Sequence, residues 1–228
     1  MKTSFAQQVI NFNHSLQFTD NLPKGFEVMN PYQNQKTALV SDMFYKKFYS
    51  DHNLRHLILG INPGRHGAGV TGIPFTDSKR LQSCCAIDPQ GLKTHEPSSV
   101  FIYRLIEEFG GAKQFYAKFY FNSPSPLGFL RHNSKGNLVN ANYYDSPALI
   151  LATENFIANC MNKLLHMPLH KDKVWCLGIG KNYQMLRKMN NKYNWFKQLI
   201  PLEHPRYIMQ YKSKQIDKYI RKFIQELK

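Results

Sequence analysis

Cysteine is scarce in this chain of 228 residues, and its few copies are poorly placed for a metal cluster. The four cysteines are Cys84, Cys85, Cys160 and Cys176, and no two of them form a Cys-x-x-Cys pair. Zinc ribbons need such pairs, and the neighbouring side chains of Cys84 and Cys85 diverge. Spacing alone leaves a metal site shared by Cys160 and Cys176 open, but reduced structural thiols are the favoured interpretation.

Long apolar runs and acidic residues are also in short supply. No stretch is long enough to span a bilayer, and residues 1–20 lack the uninterrupted apolar core of a signal peptide. We therefore expect a cytoplasmic protein with no membrane partner. Fifteen Asp and Glu face thirty Lys and Arg, and the net charge of +15 favours a polyanionic partner. The plain alternative is a basic protein that is merely soluble.

Apolar runs alternate with segments of helical periodicity. Strands are predicted over about 54–62, 118–122, 174–179 and 196–202, and helices over about 3–18, 35–50, 97–109, 147–166, 180–193 and 212–227. This alternation predicts an α/β fold, a three-layer α/β/α sandwich with a central, mostly parallel four-stranded sheet. Because no repeat or linker interrupts the pattern, residues 1–228 are expected to form a single domain.

A candidate functional residue lies at the end of each predicted strand. These are Asn62, Asn122, the Gly178–Gly180 turn and His204. Parallel strands bring their carboxyl ends to one edge, where open α/β sheets bind ligands. The glycine-rich loop after the first strand begins with Asn62 and reaches Phe75. An amide and an aromatic ring suit a flat, polar, uncharged ligand, and a nucleobase is such a ligand. Basic residues among abundant aromatics also suit nucleic acid.

Three segments resemble the uracil-DNA glycosylase superfamily. The first runs from Gly60 to Phe75, with Gly-Ile-Asn-Pro-Gly followed by Thr-Gly-Ile-Pro-Phe, and its spacing matches the SMUG-type enzymes. The second is Phe121-Asn-Ser-Pro-Ser-Pro-Leu127, and the third is Leu202-Glu-His-Pro-Arg-Tyr207. The resemblance covers about residues 54–207 and is strongest to the bacterial second branch of the SMUG type. Taken singly, each segment also fits an ordinary loop with a hydrogen-bonded polar side chain.

The resemblance implies roles for particular residues. Asn62 would position the attacking water, and His204 would reach a base oxygen. The base itself would be bound by Ile61, Gly64, Phe75 and Asn122. Phe75 would stack on the base, Gly64 would lie beside carbon 5 of a pyrimidine, and Asn122 would read the base edge. A side-chain amide suits that last role, because it offers one donor and one acceptor side by side.

Contacts with DNA are predicted at two places. The third segment is two residues shorter than the corresponding family loop. The candidates for the residues that wedge into the duplex are therefore Pro205, Arg206 and Tyr207. At Gly178–Asn182 a helix would begin, and Lys181 would contact a DNA phosphate there. A plain strand-to-helix turn is the alternative for this segment. The basic C-terminal helix is interpreted as a solvated face.

The implied function is that of a monofunctional DNA glycosylase that excises uracil, and also related deaminated bases such as xanthine, in base excision repair. It would act on single- or double-stranded DNA as a monomer, without cofactor or metal, in the bacterial cytoplasm near the nucleoid. The stretch 68–75 is also similar to the mismatch-specific uracil/thymine glycosylases, which lack the second segment and the His and are therefore kept as the second alternative. The iron–sulfur branches need cysteines placed differently. A non-catalytic reader of damaged DNA or a hydrolase of free nucleosides would also fit a base-binding pocket of this kind.

Overall fold

The computed structural model describes residues 3–228. Within them, the strands are β1 (Phe26–Met29), β2 (Arg55–Leu59), β3 (Phe119–Asn122), β4 (Gly128–His132), β5 (Leu138–Ala141), β6 (Leu169–Leu177) and β7 (Gln198–Leu202). Four of them form a central sheet in the order β3-β2-β6-β7, and every neighbouring pair in it runs parallel. The other three form a small antiparallel sheet in the order β1-β4-β5.

Helices surround the central sheet. They are α1 (Phe5–His14), α2 (Gln35–Tyr49), α3 (Ala68–Thr71), α4 (Ser78–Ser83), α5 (Pro97–Glu108), α6 (Ala112–Lys118), α7 (Pro147–Leu164), α8 (Lys181–Tyr193), α9 (Pro205–Tyr211) and α10 (Ile216–Leu227). On one side α2, α5 and α6 pack together, with α1, α9 and α10 against them. On the other, α7 and α8 lie side by side. The predicted α/β/α sandwich with its parallel four-stranded sheet is confirmed.

The central strands are buried because both faces of the sheet are covered. All four residues of β3 are buried, and Leu57, Ile58 and Leu59 of β2 are at most 2% exposed. A continuous apolar run, rather than alternation, is typical of such strands, which explains why the sequence predicted them. One apolar cluster reaches from Phe5 to Leu227 and holds the layers together.

Several predicted boundaries were wrong by a few residues. The first strand ends at Leu59 instead of Asn62, and β6 begins five residues before the predicted position 174. The last helix begins at Ile216, after a short 3₁₀ turn over Ser213–Gln215. Side-chain caps decide some helix starts that periodicity does not. Ser4 accepts from the Gln7 N–H, for example, and begins α1.

The small antiparallel sheet was not predicted. Its strands have four or five residues each, and β4 ends in two exposed polar residues, Arg131 and His132. Short polar strands of this kind are stabilised by their partners, so local sequence does not specify them. The small sheet matters for the site, because β5 delivers residues 140–143 to the edge of the central sheet.

An arginine lies in the interior where β2 begins. Arg55 is fully buried, and its guanidinium lies 4.6 Å from the Phe5 ring and 4.7 Å from the Tyr49 ring. It donates to both carboxylate oxygens of Asp51, at 2.8 and 2.9 Å, and Nε donates to the Tyr116 carbonyl oxygen at 2.7 Å. Burial raises the pKa of Asp51, but its hydrogen bonds with the Arg55 side chain and the Asn53 N–H, together with the Arg55 charge, outweigh that effect and hold the pKa below its usual value.

Removing the Asp51 charge should destabilise the fold. In the Asp51→Asn variant a buried guanidinium loses its counter-ion, and we expect the free energy of unfolding to fall by about 2 kcal/mol. Urea denaturation measures this loss. Because the pKa of Asp51 is lowered on folding, its contribution exists above the usual Asp pKa and disappears as the pH falls through the lowered value.

The matched control is Asp217→Asn, which breaks an exposed ion pair with Arg104. Exposed pairs are worth about 0–1 kcal/mol, so this variant should unfold almost like the wild type. Equal losses in the two variants would contradict the role assigned to the buried arginine.

Candidate functional site

Loops from all four parallel strands meet at one edge of the central sheet. The Gly60 N–H donates to the Asn122 carbonyl oxygen at 2.8 Å, which joins the ends of β2 and β3. The Gly178 N–H donates to the Leu202 carbonyl oxygen at 2.6 Å, which joins β6 and β7 in the same way. Side chains that are more than a hundred residues apart in sequence can therefore contribute to one cavity.

A cavity of about 340 Å³ opens at this edge. Seven of the ten residues predicted for the site line it, namely Ile61, Asn62, Gly64, Phe75, His204, Arg206 and Tyr207. The other three do not. Asn122 immediately precedes the lining residue Ser123, Pro205 is buried, and Lys181 lines a neighbouring cavity.

Backbone groups from the segment after β5 hold the Asn62 amide. Nδ2 donates to the Ala141 carbonyl oxygen at 3.1 Å, and Oδ1 accepts from the Tyr143 N–H at 3.1 Å. Nδ2 also lies 3.4 Å from the Pro63 carbonyl oxygen. These contacts orient the side chain, and Oδ1 keeps a second lone pair for another donor. The amide can therefore hold a water molecule in a defined position.

His204 presents a neutral ring. The Arg206 N–H donates to Nδ1 at 3.1 Å, which caps α9. Nδ1 is therefore the unprotonated nitrogen, and Nε2 carries the hydrogen. Burial, together with the nearby Arg206 charge, lowers the pKa of His204 to about 4. At neutral pH the cavity thus contains an uncharged N–H donor.

Phe75 supplies the flat apolar wall. Its ring packs edge-on against Phe121 at 5.4 Å between centroids and lies 5.9 Å from the His204 ring. A Cβ on Gly60 would lie 3.3 Å from the Phe75 ring, so glycine permits this close approach. The φ of Phe75 is +56°, in the left-handed region that bulky residues rarely adopt. Such backbone strain concentrates at functional sites.

The Asn122 amide is buried at the end of β3. Nδ2 donates to the Tyr120 hydroxyl at 2.7 Å, and Oδ1 accepts from the Ser123 N–H at 2.7 Å. Each of the two atoms uses half of its hydrogen-bonding capacity in these contacts, so one hydrogen and one lone pair are left. The arrangement fixes which side of the amide is the donor.

Asn140, on β5, anchors the loop that carries Gly64. Its Oδ1 accepts from the Arg65 N–H at 3.0 Å. A Cβ on Gly64 would lie 3.3 Å from the Asn140 Nδ2, so the loop fits closely against the small sheet. Ile61, at the start of the same loop, lines both this cavity and the neighbouring one.

The expectation that residues 205–207 form a loop was wrong, whereas their contact with DNA stays a prediction. Pro205, Arg206 and Tyr207 form the first turn of α9, because Pro at the first position and the His204 cap both favour a helix start. Arg206 and Tyr207 are exposed, and the Tyr207 ring lies 5.5 Å from that of Tyr211 one turn later. The cavity is therefore bordered by a rigid helical turn with one cation and two aromatic rings.

Lys181 lies in an adjoining cavity of about 420 Å³. It is the first residue of α8 and is exposed. The two cavities share Ile61, Asn142, His204 and Tyr207. Together they form a continuous depression with Lys181 at one end and Arg206 at the other.

Sequence reasoning missed several lining residues, namely Glu96, Ser98, Ser123, Asn140, Asn142, Gln210 and Tyr211. Three of them, Asn140, Gln210 and Tyr211, come from β5 and α9, which were not predicted. Ser123 lies within the second resembling segment and was available there. No local pattern distinguishes Glu96 from an ordinary polar residue before a helix.

One group of possible metal ligands lies at the opposite end of the sheet. His56, His170 and Asp172 have ligand atoms within 4.8 Å of one another. The two imidazole rings are stacked, with centroids 4.0 Å apart and planes 13° from parallel. An ion in the plane of one ring would lie out of the plane of the other, so this arrangement does not suit shared coordination.

A family model described as the uracil DNA glycosylase superfamily matches residues 46–228. The chain belongs to this superfamily. The crystal structure of wild-type SMUG2 from Pedobacter heparinus is similar to this glycosylase, with a TM-score of 0.95 and 48% identity over 99% of this chain and 97% of that one. The resemblance to the SMUG type is thereby confirmed. A search of curated proteins gave no match.

Membership supports the coarse function read from the sequence, that of a DNA glycosylase, a hydrolase that acts on DNA. Within residues 3–228 of this glycosylase, no helix is both long and apolar enough to cross a membrane.

The protonation state of His204 can be tested directly. We expect NMR to find its hydrogen on Nε2 at pH 7 and a ring titration near pH 4, because burial and Arg206 disfavour the imidazolium. A His204 ring that titrates near the usual histidine pKa of about 6.5 would contradict the neutral-donor assignment.

Proposed function

We propose that this glycosylase is monofunctional and hydrolyses the N-glycosidic bond of uracil in DNA, and also that of other deaminated bases such as xanthine, as the first step of base excision repair. The observation that carries the proposal is the arrangement of Asn62, Phe75 and His204 around one cavity. The similarity to SMUG2 of Pedobacter heparinus supports it.

The target base must leave the duplex to reach this cavity, which costs a few kcal/mol. Stacking on Phe75 would stabilise the flipped base by on the order of 1–3 kcal/mol and so offset part of this cost. Arg206 and Tyr207, on the exposed first turn of α9, would enter the space that the base leaves, with Pro205 holding the turn in place. Lys181 would bind a phosphate at the far end of the depression.

Asn122 would recognise the edge of uracil. The hydrogen left on Nδ2 pairs with a ring carbonyl oxygen, and the lone pair left on Oδ1 accepts from the adjacent ring N–H. Cytosine presents the reverse pattern at these atoms and would be rejected. Gly64 would leave space beside carbon 5 of a pyrimidine, and Ile61 would border the base.

His204 would stabilise the departing base. As the glycosidic bond breaks, its electrons move onto the uracil ring and its oxygens. A preorganised donor aimed at the oxygen on carbon 2 lowers the barrier most at this stage. The neutral Nε2–H is sufficient, because it stabilises the anion without transferring a proton.

Asn62 would hold the water that attacks the sugar. An amide orients water but is a poor base, so the bond to the base breaks largely before the water attacks. Within residues 3–228 no lysine lines the cavity. A covalent lysine intermediate is therefore not proposed, and strand cleavage by the enzyme is not expected.

The decisive experiment is incubation with a uracil-containing oligonucleotide, followed by heating in alkali. Strand cleavage that needs the alkali step indicates base excision. Binding without cleavage would instead identify a non-catalytic reader of damaged DNA. Inhibition by free nucleoside at the level of the DNA substrate would favour a nucleoside hydrolase.

Removing the water-positioning amide should abolish most activity. We expect Asn62→Ala to lower the single-turnover rate of uracil excision roughly 10²-fold or more while DNA binding persists. Asn137→Ala, on an exposed turn of the small sheet, serves as the control and should match the wild type. Wild-type turnover by Asn62→Ala would remove this residue from the mechanism.

Replacing Asn122 by Asp should weaken uracil recognition, because an acceptor takes the place of the Nδ2 donor. The Tyr120 hydroxyl can reverse and donate to the new carboxylate, so the fold should tolerate the change. We expect uracil excision to fall roughly tenfold or more, measured as kcat/KM, with the melting temperature almost unchanged. Unaltered uracil excision would refute the edge-reading role.

A further inference from the structure

One polar side chain in the cavity has no part in the reaction proposed above. Glu96, immediately before α5, lines the cavity beside His204 and Arg206. Its Oε2 atom is buried and has no hydrogen-bond partner among residues 3–228. Glu96 occupies the capping position of α5 but makes no side-chain bond to that helix. Buried polar atoms nearly always have partners, so an unpaired one in a binding cavity points to a ligand.

The loop after β2 leaves room for this carboxyl group at one point. A Cβ on Gly67 would lie 2.4 Å from Oε2 and 2.6 Å from Cδ of Glu96. The φ of Gly67 is −138°, outside the left-handed region that favours glycine. The absence of a side chain at this position therefore matters chiefly for the space that it gives Glu96. An alanine here would displace the Glu96 carboxyl group.

A second carboxyl group lies close to Glu96. Asp77 accepts hydrogen bonds from the Glu96 N–H at 3.1 Å, the Arg80 N–H at 3.0 Å and the Ser99 hydroxyl at 2.8 Å. Burial raises the pKa of Asp77, but these bonds and the Arg80 charge outweigh that effect and hold the pKa below its usual value. Asp77 is therefore ionised, and its charge disfavours a second charge at Glu96.

The remaining charged neighbours oppose this effect weakly. Arg206 on α9 favours the ionised form of Glu96. The neighbouring His95 contacts Asp77 instead of Glu96, with 3.4 Å between its Nδ1 and the Asp77 Oδ2. Burial, followed by the Asp77 charge, raises the pKa of Glu96 to about 7. At neutral pH a large share of the molecules therefore has an uncharged carboxyl group on this cavity-lining residue.

We propose that Glu96, as a neutral carboxyl group, binds the flipped base by donating a hydrogen bond from its carboxyl group to one of the keto oxygens of the base. This inference rests on the proposed function. A neutral carboxyl group donates one hydrogen bond, whereas a carboxylate only accepts. Negative charge collects on the keto oxygens as the base departs, so the neutral form stabilises the transition state and the ionised form repels it. Excision must then slow as Glu96 ionises.

The pH profile of single-turnover excision tests this proposal with Glu96→Gln and Glu96→Ala. Between about pH 5.5 and 8.5, the wild-type rate should fall above pH 7, approaching tenfold per pH unit. The amide of Glu96→Gln donates at every pH, so its profile should be flat. Glu96→Ala should be flat and roughly tenfold slower than the wild type at the acid end. Glu107→Gln, exposed at the other end of α5, should keep the wild-type profile.

Gly67→Ala provides a second perturbation that leaves the glutamate itself in place. Its added methyl group should displace the carboxyl group and give a slow, flat profile similar to that of Glu96→Ala. In the Glu96→Ala background, the same change should have little further effect, because the two changes act on one interaction. Additive losses in the double variant would overturn the proposal.

An independent readout is proton uptake on binding. The non-hydrolysing Asn62→Ala variant, titrated calorimetrically with uracil DNA at pH 8 in buffers of different ionisation enthalpy, should take up a proton that the Asn62→Ala/Glu96→Gln variant does not. Equal uptake, or identical pH profiles for wild type and Glu96→Gln, would overturn the inference while leaving the proposed function intact.

A different outcome would assign Glu96 another role. If Glu96→Gln no longer changed the pH profile once Arg206 was replaced by Gln, Glu96 would be a positioning residue for Arg206, and the inference would also be overturned. No excision by the wild type at any pH would defeat the proposed function, and the proton-uptake result would still decide the role of Glu96.

Discussion

A single buried amide, that of Asn182, connects the loops on which the site depends. Its Nδ2 donates to the carbonyl oxygens of Gly60 and Leu177, at 3.1 and 2.9 Å, which lie at the ends of β2 and β6. Its Oδ1 accepts from the Tyr143 hydroxyl at 2.9 Å. The backbone of Tyr143 in turn holds Asn62. Three loops are thus joined, and removing the amide would leave several buried polar groups unpaired.

The electrostatics of the cavity follow from burial as much as from charge. His204 is kept neutral, and Glu96 is shifted towards its neutral form, because both are withdrawn from water, which moves the pKa of each towards the uncharged species. The protein as a whole carries a net charge of +15, yet the groups that would meet the base are uncharged dipoles. A positively charged surface and an uncharged cavity together suit a polyanionic ligand whose target base is neutral. Surface cations attract the phosphates over a distance, while oriented donors act on charge that develops only during the reaction.

The parallel sheet was predictable because its strands are short, uninterrupted apolar runs, as in Leu57-Ile58-Leu59. The small antiparallel sheet was not, since β4 and β5 are partly polar and depend on each other and on β1. Because the small sheet was not predicted, the position of residues 140–143, which include the hydrogen-bond partners of Asn62, could not be predicted either. The turn after His204 was predicted as a loop from its length, although Pro205 behind a capping His204 is a helix start. No sequence pattern near Glu96 predicts that it is buried at the cavity, because that burial arises from Gly67 and α9, which are distant in the sequence.

The sequence by itself determined the fold class, the family and seven of the eighteen residues that line the cavity, because hydrophobic periodicity and the spacing within each segment are local properties of the chain. Only the tertiary structure decided which nitrogen of His204 is protonated, how the Asn62 amide is oriented, and that Oε2 of Glu96 has no hydrogen-bond partner within residues 3–228. Those properties depend on desolvation and on hydrogen bonds between distant segments. Desolvation and these hydrogen bonds arise only when the chain has folded.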